Sequence, residues 1–230
     1  MQFTDTLREV TASSWEQSVN HPFVKGIAKG DLPLDIFKYY ILQDTYYLKH
    51  YAKVHALAAT LAEDFRVTAM LAERAKGTAQ AELTVHKEHA ETLHITESDW
   101  ENFKPAPTAY AYTSHLYRAA DSGSLGQTIA AMLPCYWLYA DIGKTYKNEK
   151  PAEKIYQNWI ATYASDWFQD STDEQINLLN QIAAESSEKE KEKMKEQFII
   201  AKEYELAFWE MAYSKEEWFS NRHWHSHSMA

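Results

Sequence analysis

Apolar residues recur along this chain at spacings of three and four, the period of a helix. No stretch shows the apolar–polar alternation of a half-buried strand. The pattern predicts helices over residues 4–19, 34–62, 65–93, 110–120, 125–147 and 151–163. A seventh starts at Ser171-Thr172-Asp173-Glu174, and a last one runs to about Lys215. Residues 21–33 hold two of the six glycines and two of the six prolines, so they read as a loop. Residues 94–107 read as a turn region, with a capped turn at Thr96-Glu97-Ser98-Asp99, and residues 121–123 as a turn. Pro151 suits a first helical turn, where its missing N–H costs nothing. The helix over 125–147 is apolar almost all round between Ile129 and Ala140 and is expected to be central.

Polar residues matter most where they interrupt an apolar stripe. Met194, Phe198, Ala201, Glu205, Phe208 and Ala212 draw one helix face, and Glu205 is its only charged member. A buried carboxylate needs a partner or a raised pKa. Glu205 is therefore either a structural carboxylate tied to a Tyr or Arg, or a general acid/base. Phe37, Tyr40, Asp44, Tyr47 and Tyr51 draw a second face with Asp44 at its centre. That arrangement suits a pocket for a flat, amino-bearing heterocycle, or a buried Asp satisfied by tyrosine hydroxyls. The third misfit is the run Met132-Leu133-Pro134-Cys135-Tyr136-Trp137-Leu138-Tyr139. Pro134 removes a hydrogen bond and is expected to kink the helix and free the carbonyl near Ala130. Cys135 follows it, with Tyr139 one turn on. A lone buried cysteine is ordinarily a small hydrophobe; three polar misfits on three core helices together point to a site.

Composition narrows the classes. Hydrophobic residues make up 45% of the 230 and charged residues 24%, enough for a sizeable core. Glycine and proline are scarce, which favours long helices, and aromatics reach 14%, with fifteen Tyr and eight Trp. A net charge of −10 argues against a nucleic-acid partner. No window approaches the ~20 apolar residues of a membrane span, and the opening MQFTDTLREV lacks a signal-peptide pattern. A single cysteine fits a reducing, cytoplasmic setting. Residues 186–195 are a charge run, read as a solvated helix face. His223, His225 and His227 lie in a tail, residues 221–230, expected to be disordered and separate from a single catalytic domain over 1–220.

Other motifs are weak. Phosphate-cradling and dinucleotide fingerprints are absent, as is a GxSxG elbow. Glu82, His86 and His89 share a helix face, and Glu91-x-x-His94 matches half of a di-iron signature whose second Glu-x-x-His is missing. A metal-dependent oxidase on a helical scaffold is one alternative, and a non-catalytic helical binding or regulatory protein is another.

Three segments carry a resemblance. Tyr40-Ile41-Leu42-Gln43-Asp44-Thr45-Tyr46-Tyr47, Pro134-Cys135-Tyr136-Trp137-Leu138-Tyr139 and Tyr204-Glu205-Leu206-Ala207-Phe208-Trp209 resemble thiaminase II, the TenA family, in its cysteine-containing branch. The likeness runs from His21 to about Tyr213. It implies an all-α fold like haem oxygenase, a homotetramer, and no cofactor or metal. The implied activity is aminopyrimidine aminohydrolase. It converts 4-amino-5-aminomethyl-2-methylpyrimidine to the 5-hydroxymethyl compound with loss of ammonia, in thiamin salvage, and it also cleaves thiamin. Cys135 matches the nucleophile and Glu205 the acid/base. Asp44 and Tyr139 match residues that hold the two sides of the ring. Tyr112 matches the partner of Glu205, and Tyr47 and Tyr163 match the rings that sandwich the pyrimidine.

Overall fold

The computed structural model describes residues 2–219, with the side chains of 81–90 left out. Its elements are α1 (Phe3–Val10), α2 (Ala12–Val19), α3 (Pro22–Lys29), α4 (Leu34–Leu61), α5 (Phe65–Thr92) and α6 (Glu97–Glu101). They continue with α7 (Pro107–Asp121), α8 (Leu125–Tyr146), α9 (Lys154–Ala164), α10 (Asp166–Glu185) and α11 (Glu188–Ser214). No strand occurs among the described residues, so the fold is all-α as expected. The histidine tail lies outside the described residues.

The expected boundaries shift where local chemistry outweighs periodicity. The helix over 4–19 is two helices. Thr11 sits between them at φ −106°, and its hydroxyl bonds back to the Leu7 carbonyl at 2.7 Å, which competes with regular helix geometry. The loop over 21–33 is in fact mostly α3. Its proline and glycine are a start and a stop: the His21 ring accepts from Phe23 N, Pro22 occupies the first turn, and Gly30 closes the helix at φ +79°. Pro151 does not open a helix. It is buried so close to Gly30 that a Cβ there would meet Pro151 Cβ at 3.0 Å, and α9 begins three residues later. Helix α10 starts at Asp166, capped by Ser165, rather than at Ser171. Ser171 and Thr172 instead lie buried in mid-helix, their hydroxyls turned back to the Trp167 and Phe168 carbonyls. Helix α7 starts at Pro107, three residues before its expected start. The turn at Thr96 carries the short α6, with a reciprocal Thr96–Asp99 cap.

Helix α8 is central. It packs against α2, α4, α7, α9, α10 and α11, and nearly every residue from Gly126 to Gly143 is buried. It runs through Pro134, and the Tyr51 hydroxyl of α4 donates to the Met132 carbonyl at 2.9 Å just before the proline. Helix α5 packs along α4. The charge run opens α11, where Lys191–Glu188, Lys193–Glu190 and Lys195–Glu192 pair one turn apart on a solvated face. Beyond it every member of the stripe from Met194 to Ala212 is buried, so α11 delivers Glu205 to the interior against α8. No helix among the described residues is long and apolar enough to cross a membrane.

Candidate active site

Four helices meet around a small, tightly lined cavity. Helix α4 contributes Asp44 and Tyr47, α7 Tyr112, α8 Cys135 and Tyr139, and α11 Glu205 and Phe208. The three stripes with polar misfits thus converge. The same periodicity that buries their apolar neighbours turns one carboxylate, one thiol and another carboxylate onto a common space.

Glu205 is 3% exposed, and the Tyr112 hydroxyl donates to its Oε1 at 2.6 Å. Burial pushes the Glu205 carboxyl up to about 7, against the opposing Tyr112 bond and the Lys202 ammonium. Burial also pushes the Cys135 thiol well up, and the Glu205 charge adds to that. The Tyr47 hydroxyl opposes the rise, and Asp44 adds a smaller push. The resting thiol is therefore protonated at neutral pH, beside a carboxylate that titrates there. The Tyr47 hydroxyl itself is buried without a hydrogen-bonded partner of ordinary geometry. Such a group facing a cavity is one a polar ligand would satisfy.

The walls are aromatic. Tyr47 tilts against Tyr112 at 4.8 Å between centroids and stacks on Tyr51 at 5.4 Å, and Phe208 meets Tyr47 edge-on at 5.8 Å. On the far side the Tyr139 and Tyr40 hydroxyls lie 3.2 Å apart, and Trp159 Nε1 donates to Tyr40 at 3.4 Å. This ladder fixes Tyr139 for a second contact. Tyr163 is not among the lining residues. It stands one ring back, edge-on to Tyr139 at 4.6 Å. Its place depends on Gly143 of α8: a Cβ there would come within 2.3 Å of the Tyr163 backbone.

Of the expected site residues, Asp44, Tyr47, Tyr112, Cys135, Tyr139 and Glu205 share the cavity, and Tyr163 supports its edge. Two participants escaped the sequence reading. Phe208 belongs to the apolar stripe around Glu205 and also lines the cavity. Lys202, one turn before Glu205, is fully buried. A lysine set among Phe198, Ala201, Glu205 and Trp209 was the same kind of misfit as Glu205 and was legible as one. As for the oxidase alternative, Glu82, His86 and His89 fall outside the described side chains, and Glu91 and His94 are exposed. Among the described residues no group of three or more His, Cys, Asp or Glu is gathered to hold a metal ion.

Residues 9–215 match the TENA/THI-4/PQQC family. An aminopyrimidine aminohydrolase of Bacillus subtilis (strain 168) is 49% identical over 218 residues, covering 95% of this chain and 92% of the relative. A solved TenA homologue of P. horikoshii OT3 superposes with a TM-score of 0.86 at 29% identity, covering 93% of this chain and 99% of that one. A domain of Shewanella denitrificans with a heme oxygenase-like fold, 16% identical, superposes with a TM-score of 0.71 over 92% of both chains, a likeness of fold alone.

Proposed function

Because the chain belongs to the TENA/THI-4/PQQC family, we propose that it is a thiaminase II-type aminopyrimidine aminohydrolase of thiamin salvage. It hydrolyses 4-amino-5-aminomethyl-2-methylpyrimidine to the 5-hydroxymethyl compound and ammonia, and it cleaves thiamin to hydroxymethylpyrimidine and thiazole. The carrying observation is the meeting of Cys135, Glu205 and Asp44 in one small cavity with aromatic walls.

The chemistry follows from the lining. Asp44 accepts hydrogen bonds from the amino-bearing side of the pyrimidine, and Tyr139 meets the opposite ring nitrogen. Tyr47 and Phe208 hold the ring in place, with Tyr163 backing Tyr139, which orients the reactants at low entropic cost. The Cys135 sulfur adds to a ring carbon while the Glu205 carboxylate takes the thiol proton, and the electron pair of the opened ring double bond is held on the ring nitrogen. Glu205 then returns that proton to the leaving amine as the exocyclic C–N bond breaks. Water adds at the freed methylene carbon, Glu205 accepts its proton, and departure of the sulfur restores the ring. Covalent catalysis thus splits one hard displacement into two steps. A carboxyl near 7 can both take and return a proton at neutral pH, whereas the buried thiol yields its proton only as the sulfur bonds to the ring.

A homotetramer working in the cytoplasm belongs to the same proposal, as does one catalytic domain over residues 1–220. Phe65 and Trp167, both strongly exposed, are apolar surface that a second copy would cover. Incubation with the aminomethyl pyrimidine, with ammonia and the alcohol measured, tests the activity. Wild type is expected to turn over, and Cys135→Ala to lose at least a hundredfold in kcat. No turnover by wild type refutes the reaction, and full activity in Cys135→Ala refutes the nucleophile.

A further inference from the structure

Among the described residues Lys202 is the only buried lysine or arginine, at 0% exposure. It sits on α11, one turn before Glu205, where side chains at i and i+3 are neighbours. Its ammonium donates to the Ser14 carbonyl at 3.1 Å and the Ser18 hydroxyl at 2.7 Å, both on α2. Ser18 in turn donates to the Ser14 carbonyl at 2.9 Å, so the anchor is fixed on two sides. The Trp15 ring lies 5.7 Å from the ammonium.

These hydrogen-bond partners are neutral. No described carboxylate lies within ion-pair distance of Lys202. Asp141 of α8 is occupied by Arg8 at 3.1 Å and Trp15 Nε1 at 3.0 Å, and Glu203, whose charge also favours the ammonium, is exposed on the helix surface. The charge of Arg8 on α1 works against the ammonium. Burying an ammonium with only neutral acceptors is costly, and such a charge is normally compensated. The buried anion near it is Glu205. From its other side Glu205 faces Tyr112 of α7, Tyr47 and Asp44 of α4, and Cys135 and Tyr139 of α8. Apart from Lys202 these groups are neutral or acidic.

We propose that Lys202 is a positioning residue for Glu205: a fixed positive charge, anchored on α2, that keeps the neighbouring carboxylate partly ionised so that it can accept the Cys135 proton. The inference rests on Glu205 serving as the acid/base of the proposed hydrolysis. Each group holds the other in its charged form. Burial carries Lys202 down to about 8 and Glu205 up to about 7, and in each case the partner's charge opposes the shift. Without Lys202 no cation among the described residues acts on Glu205, and its carboxyl rises further.

The sole cysteine allows a test that needs no substrate. Alkylation of Cys135 by iodoacetamide, followed against pH, carries an inflection from Glu205, because the thiolate forms less readily beside a carboxylate than beside a carboxylic acid. In Lys202→Met this inflection and the acid limb of kcat/KM for ammonia release are expected to move up together by about one pH unit. That is a tenfold loss of rate on the limb, recovered at alkaline pH. Lys202→Arg, which keeps the charge, is expected to bring both back toward wild type. Removing one member of a buried charge pair ordinarily destabilises, so the Met variant is expected to melt lower than wild type, and both readouts are taken well below its melting temperature. An unmoved inflection in Lys202→Met, or an Arg variant that behaves like Met, overturns the proposal. An inflection that shifts as expected in a protein releasing no ammonia supports the Lys202–Glu205 coupling and refutes the hydrolysis instead.

Discussion

Glu205 carries two opposed demands. In the proposed hydrolysis its carboxyl must be buried to act on a bound pyrimidine, and burial raises it from 4.5 to about 7. A raised carboxyl binds its proton more tightly in the folded protein than in the unfolded chain. Its contribution to stability is therefore fully present below about 4.5 and is lost as pH rises through about 7. Glu205→Gln keeps the shape and cannot titrate. Between pH 5 and pH 8 the wild-type melting temperature is expected to fall relative to that of Glu205→Gln. Turnover by the variant is expected to collapse by a hundredfold or more while pyrimidine binding survives, because an amide cannot take and return a proton. Thermal melts at the two pH values, with binding measured by calorimetry, check both halves. A melting difference that does not change with pH would mean that Glu205 carries no raised pKa.

At the scale of elements, the site depends on how closely α8 and α9 approach. Gly143 has no Cβ, and one placed there would lie 2.3 Å from the Tyr163 carbonyl carbon and oxygen, which are backbone and cannot swing aside. Gly143→Ala is expected to push the end of α9 outward and take Tyr163 away from Tyr139. Overpacking of this kind costs about 1–3 kcal/mol. KM for the pyrimidine is expected to rise several-fold while kcat changes less, since Tyr163 supports the wall and not the reacting atoms. Steady-state kinetics and thermal melts test this, and an unchanged KM would mean that Tyr163 does not hold Tyr139 in place for the substrate. Gly143 also shows what could be read in advance. Periodicity revealed the long helices α4, α5, α8 and α11, and it exposed Asp44 and Glu205 as misfits within the buried stripes of α4 and α11. The same reading treated residues 21–33 as a loop, because Pro22 and Gly30 punctuate a helix at its ends as readily as they break one. It missed Lys202 because a lysine on a helix is ordinarily solvated, and only the Ser14 and Ser18 acceptors on a distant α2 make its burial possible. Gly143 stayed silent because the backbone it accommodates lies twenty residues away in sequence.

Over the whole molecule, four helices must arrive at one cavity, and the chain end ties two of them to a third. After α11 the backbone turns through Lys215 at φ +51°, and Glu216 N reaches back to the Met211 carbonyl at 2.9 Å. The segment then crosses the starts of α4 and α7. Lys215 pairs with Asp35 at 2.5 Å, Tyr39 donates to the Glu216 carbonyl, and Trp218 Nε1 donates to the Pro105 carbonyl at 2.8 Å. Glu216 also accepts from Thr108 N at 3.0 Å, capping α7, whose own cap position is Ala106 and offers no side-chain acceptor. Losing a cap costs about 1 kcal/mol, which in a chain of this size lowers Tm by roughly 2–4 °C. Glu216→Ala is therefore expected to melt lower by that amount. Its kcat at 25 °C is expected to stay within about twofold of wild type, because Tyr112 lies a full turn beyond Thr108 and is held independently by its 2.6 Å bond to Glu205. Melting and turnover measured on the same preparation separate the two effects. A variant that keeps its Tm and loses kcat would mean that the chain end sets the site's geometry, and that the Tyr112–Glu205 bond cannot hold α7 in place alone.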